Sequence, residues 1–69
     1  MDRARIREVL EAKERIERTL LDRGVELDGQ GRDSIGWALK ALVEDEGYSL
    51  ETAVHRILEV HRMAMAHAA

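Results

Sequence analysis

Gly24-Val25-Glu26-Leu27-Asp28-Gly29-Gln30-Gly31-Arg32 decides the fold. Three glycines in nine residues predict a break in helix. Val25 and Leu27 alternate with Glu26 and Asp28, a pattern that suits a short strand or a loop pinning two apolar side chains onto neighbouring helices. The loop is the expectation. One helical pattern precedes this stretch and two follow it. The chain therefore reads as an all-α domain of three helices: a long N-terminal helix over 2–23, a Gly-rich loop over 24–32, and a helical hairpin with helices over 33–46 and 49–67.

In the first helix Ile6, Val9, Leu10, Ile16, Leu20 and Leu21 fall within one arc of about 140°. Asp2 is placed to cap its start, and Gly24 follows its last turn. Glu11–Arg15 and Glu14–Arg18 are favourably ordered i,i+4 pairs, each worth about 0.2–0.5 kcal/mol. In the second helix Ile35, Ala38, Leu39, Leu42 and Val43 form the apolar stripe. Asp33 or Ser34 is expected to cap it, with Gly47 in a left-handed position beyond its end. In the third, with Ser49 as N-cap, Leu50, Ala53, Val54, Ile57, Leu58, Val60, Ala64 and Met65 cover an arc near 160°. That arc is wider than one neighbouring helix needs.

The chain of 69 residues allows one small domain. Leu, Val and Ile together number 17 and there is no Phe, so the core is aliphatic. The absence of Cys excludes a disulfide and a thiolate metal site. No apolar run approaches the length of a membrane span, and the charged start, Met1-Asp2-Arg3-Ala4-Arg5-Ile6-Arg7, lacks the apolar centre of a signal peptide. A cytoplasmic protein is expected. Arg outnumbers Lys 9 to 2 and Ala reaches 9, a bias that suits a GC-rich bacterial or phage genome. The net charge of −3 arises in residues 24–48, whose 2 basic and 6 acidic side chains carry −4 against +1 over residues 1–23. Without clustered Lys and Arg, such a chain is a poor non-specific binder of nucleic acid.

Trp37 is the most informative residue. It lies opposite the apolar stripe of its own helix, beside Lys40 and Ala41. Either the 24–32 segment folds over it through Val25 and Leu27, or a partner does, since Trp is enriched at binding hot spots. With Glu44 and Asp45 these residues make the candidate partner-binding patch: Trp37, Lys40, Ala41, Glu44 and Asp45. Its acidic side favours a basic partner surface.

A second candidate surface is a dimer interface. One short second helix cannot cover both long stripes. A monomer would leave Ile6, Val9 and Leu10 on the first helix, and Val60, Ala64 and Met65 on the third, in water. Lys13 occupies an a position in the heptad reading of the first helix, where it would either set register between copies or lay its stem along the stripe. His61, near the centre of the third helix's arc, is core or interface. The expected interface is Ile6, Val9, Leu10, Lys13, Val60, His61 and Met65, and the expected assembly is a homodimer.

Chemistry is sparse. Glu51-xxx-His55-xxx-Glu59 offers three metal-ligand types on one helix face, but a solvated face is the simpler reading. Gly29-Gln30-Gly31-Arg32 lacks the Lys and preceding strand of a phosphate loop. Ser34, Ser49, Thr19 and Thr52 have no base and orienting acid at readable spacing. No enzymatic activity, cofactor or metal is expected.

Val25 to Asp28, the helix ending at Glu46-Gly47, and Tyr48-Ser49-Leu50-Glu51 opening a helix that carries His55-Arg56-Ile57-Leu58 together resemble the ribbon-helix-helix repressors and antitoxins. The resemblance spans residues 25–62. It implies a strand paired across a dimer and a DNA-binding transcriptional regulator. The ribbon positions that would face DNA are Glu26 and Asp28, which repel phosphate, and a long helix precedes the ribbon where that family usually begins with it. The leading expectation is therefore a small regulatory or adaptor protein acting through protein–protein contact, in the manner of antitoxins or phage and mobile-element inhibitors. The DNA-binding regulator is the alternative.

Overall fold

The computed structural model describes the backbone of residues 3–68 and the side chains of residues 3–64. Among these residues the chain forms three helices and no strand: α1 (Arg3–Asp22), α2 (Gly29–Lys40) and α3 (Leu50–Ala68). A π-helical turn, Ala41–Asp45, continues α2. Asp2, the expected cap of α1, lies outside the described residues.

The Gly-rich stretch is shorter and more ordered than its composition predicts. Gly24 takes φ +82° and closes α1. Its amide donates to the Leu21 carbonyl, and the Val25 amide donates to the Leu20 carbonyl, both at 2.9 Å. This pair of bonds satisfies carbonyls that a helix end otherwise strands. Val25 and Leu27 then pack on the core, as the loop reading expects. The start of α2 differs from expectation by four residues. Asp28, rather than Asp33 or Ser34, is the cap, accepting the Gly31 amide at 2.7 Å. Glycine is cheap in a first turn, where amides lack helical partners anyway. Ser34 sits within the helix, its hydroxyl donating to the Gln30 carbonyl at 2.9 Å. Residues 25–28 thus form a connector and cap, not the strand that the ribbon-helix-helix resemblance implies.

The helices run up, down, up. Arg15 of α1 meets Glu51 near the start of α3, and Arg23 beyond α1 reaches the Leu58 carbonyl at 3.4 Å, so α1 and α3 point the same way. Lys13 of α1 faces Gly36 of α2, while Glu17 approaches Arg32, so α2 runs back. The core between them is Ala12, Ile16, Leu20, Ile35, Leu39, Ala53 and Val54, with Ile16 and Leu39 fully buried. Ser49 caps α3 as expected, accepting the Thr52 amide at 3.2 Å.

α1 and α3 are offset along their length. Since Arg15 is level with Glu51, the early turns of α1 run past the start of α3. Since Arg23 is level with Leu58, the later half of α3 runs past the end of α1. The molecule is 41 Å long and only 22 × 17 Å across. The offset leaves apolar side chains in water at both ends: Ile6 and Leu10 on α1, Val60 and Met63 on α3. No helix among the described residues is long and apolar enough to cross a membrane.

Candidate functional site

α2 carries the candidate site because its two faces do different work. Ile35 and Leu39 turn into the core. Trp37 turns out and is 68% exposed. Val25 and Leu27, the residues of the covering alternative, are held against the core instead. With two thirds of its surface in water, the indole delivers only a minor part of its burial energy to folding. Lys40 is one turn on, its Nζ 5.4 Å from the ring centroid. That cation–π contact is worth about 0.5–1 kcal/mol at an exposed site, a mild bias on the orientation of the indole.

The π turn then widens the helix. The Glu46 amide donates to the Ala41 carbonyl, five residues back, and the Tyr48 amide reaches Leu42, six residues back. Gly47, at φ +75°, lets the chain turn away, as its position predicts. Such turns are rare and recur at functional sites. Here Trp37, Lys40, Ala41, Glu44 and Asp45 line one shallow depression of about 330 Å³. These are the five residues of the candidate partner-binding patch.

Two apolar grooves flank this outward face of α2, the α2 ridge. One, of about 410 Å³, lies between α1 and α2 and is walled by Ile6, Val9, Leu10, Val43 and the Lys40–Glu44 edge, with Gly36 in its floor. The other, of about 390 Å³, lies between α2 and α3 and is lined by Ala38, Ala41, Leu42, Arg56, Ile57 and Val60. Lys40 and Glu44 belong to both the ridge and the first groove, and Ala41 to both the ridge and the second. The patch read as partner-binding and part of the surface read as a dimer interface are therefore one continuous face. Sequence periodicity treats each helix separately, and could not show that α1 and α3 flank the Trp37 ridge.

The remaining expected interface residues are placed as follows. Lys13 is half-buried within the chain: its stem lies over Gly36, and its ammonium pairs with Glu17 at 2.9 Å. His61 is half-buried, and its Nδ1 is shielded without a hydrogen-bond partner. Ala64 is exposed. The Met65 side chain lies outside the described residues.

The Glu51-His55-Glu59 face is engaged elsewhere. Glu51 accepts two hydrogen bonds from Arg15, each 3.2 Å, and these hold its carboxyl below the usual glutamate range, with His55 3.7 Å away adding a smaller push. Arg62 does the same to Glu59. Arg15 was expected to pair with Glu11 one turn away. It reaches across to α3 instead, a pairing no local spacing signals.

No protein-family model matches this chain, and no curated protein or solved structure matches it at a significant level.

Proposed function

We propose that this chain is a small, non-enzymatic regulatory or adaptor protein that works by binding another protein through the Trp37 face, and that it forms a homodimer in the cytoplasm. The observation that carries the reading is the exposed Trp37, in contact with Lys40 and sharing a depression with Glu44 and Asp45. A solvent-facing Trp is the kind of side chain that dominates binding energy at interfaces. The acidic end of the patch favours a partner with basic groups facing Glu44 and Asp45. Antitoxin-like neutralisers and phage or mobile-element inhibitors are the class of protein that this size and chemistry suit, by analogy alone.

The test starts from a partner captured in the native host, purified and titrated against the chain. Trp37→Ala should weaken binding by about 30-fold or more, the loss typical of a hot-spot aromatic, with helicity unchanged. Unchanged affinity in that folded variant overturns the reading. Tight binding to genomic DNA fragments that falls steeply with salt would favour the DNA-binding alternative instead.

A further inference from the structure

We propose that the dimer forms through this same face, with the α2 ridge of one copy packed antiparallel against the α2 ridge of a second, so that self-association and partner binding exclude one another. This rests on reading the Trp37 face as an interaction surface. It adds which molecule occupies that face when no partner is present.

The charge pattern selects the occupant. On the ridge the cation of Lys40 is followed, four and five residues on, by the acids Glu44 and Asp45. At 1.5 Å per residue the two signs are about 6–8 Å apart along the helix. A two-fold axis crossing the helix between Ala41 and Glu44 reverses one copy on the other. Lys40 of each copy then meets the Glu44-Asp45 pair of its mate, twice over. A uniformly basic surface would satisfy the acids and oppose Lys40. A second copy satisfies both signs, which is the condition for an isologous contact.

Shape agrees with charge. Ala41 lies at the centre of the ridge, with Ala38 in the adjoining groove, so two helices can approach closely there. The exposed Ile6 and Leu10 stand to one side and Val60 to the other. All three border the grooves that a second ridge would cover. The contact thus has a polar, self-complementary centre with apolar flanks.

The experiment uses the purified chain alone, so its outcome is independent of any partner. Light scattering after size exclusion at tens of micromolar and low salt should give about twice the protomer mass of 7.9 kDa. Lys40→Glu opposes like charges at two symmetric places and should raise the dimer Kd about tenfold or more, and Glu44→Lys should do the same. An equimolar mixture of the two variants should recover the dimer, because each then meets its opposite. Far-UV circular dichroism confirms that each variant stays helical. A wild-type mass near 7.9 kDa overturns the proposal. So does a dimer that ignores both reversals, or a mixture that fails to re-pair. A dimer lost only with Leu10→Glu and untouched by Lys40→Glu would place the contact on α1 and overturn it too. Failure of Trp37→Ala to affect a captured partner would overturn the function proposed above and leave this dimer standing.

Discussion

Arg15 and Glu51, 36 residues apart in the chain, face each other with two parallel hydrogen bonds of 3.2 Å and tie α1 to α3. The pair is solvent-exposed, so its worth lies in orientation more than in energy. It marks the level at which core packing brings the two parallel helices together, and hence which apolar side chains overhang.

The same pair predicts an acid limb of stability. Arg15 depresses the folded-state pKa of Glu51 below its ordinary value of 4.5, and Arg62 does so for Glu59. Their stabilisation is present above that ordinary value, where the carboxyls are ionised in both states. As pH falls below it, the unfolded chain binds protons first, and stability is lost until the folded carboxyls protonate as well. The share of the urea midpoint owed to Glu51 and Glu59 should be constant from pH 7 to about 5 and decline below about 4.5. In Glu51→Gln the decline should be shallower. An identical slope in that variant would remove Glu51 from the account.

Gly36 sits in the middle of α2 beneath the Lys13 stem. A Cβ there would meet Lys13 Cε at 3.4 Å and Cδ at 3.5 Å, ordinary contact with a flexible side chain. Gly36→Ala should therefore gain most of the helical difference between Gly and Ala, about 0.5–1 kcal/mol. Chemical denaturation at a fixed protein concentration measures it, and a loss of stability would show that Lys13 cannot yield.

The 24–28 turn should be intolerant at two points for different reasons. Gly24→Ala forces a Cβ into the left-handed region at φ +82° and should cost about 1–2 kcal/mol. Asp28→Ala removes the cap on the Gly31 amide and should cost about 1 kcal/mol, while Asp28→Asn should cost little. If Asp28→Ala is neutral and Asp33→Ala is not, the helix begins where the glycine count first put it.

What was legible in the sequence follows from what periodicity encodes. Ile16, Leu20, Ile35, Leu39, Ala53 and Val54 repeat with helical spacing, and all six are buried. Ala12 is buried as well, yet its small side chain carries no signal when Leu10 beside it is larger and 54% exposed. Gly29 and Gly31 pointed to a loop because glycine is costly inside a helix, though Asp28 makes them the first turn of one. The π turn is a main-chain event, and Leu42 and Val43 read as ordinary stripe residues. Trp37 was legible as outward-facing. Its continuity with Ile6, Leu10 and Val60 was not, since that depends on where α1 and α3 lie against α2.

Folding and binding should separate at two large side chains. Ile16 is fully buried between the three helices, and Ile16→Ala should cost about 2–5 kcal/mol through lost burial and the cavity left behind. Trp37 is the larger residue but is mostly exposed, with the Lys40 ammonium near its ring. Trp37→Ala should therefore lower protomer stability by no more than about 1 kcal/mol, the scale of one exposed cation–π contact. In a dimer the stability of each chain also rises with protein concentration, so both variants must be compared by denaturation across a dilution series. Ile16→Ala should lower the midpoint at every concentration. Trp37→Ala should leave the dilute limit nearly unchanged and flatten the dependence on concentration. A Trp37→Ala chain that unfolds in the dilute limit would make Trp37 a folding residue and remove it from the interaction surface.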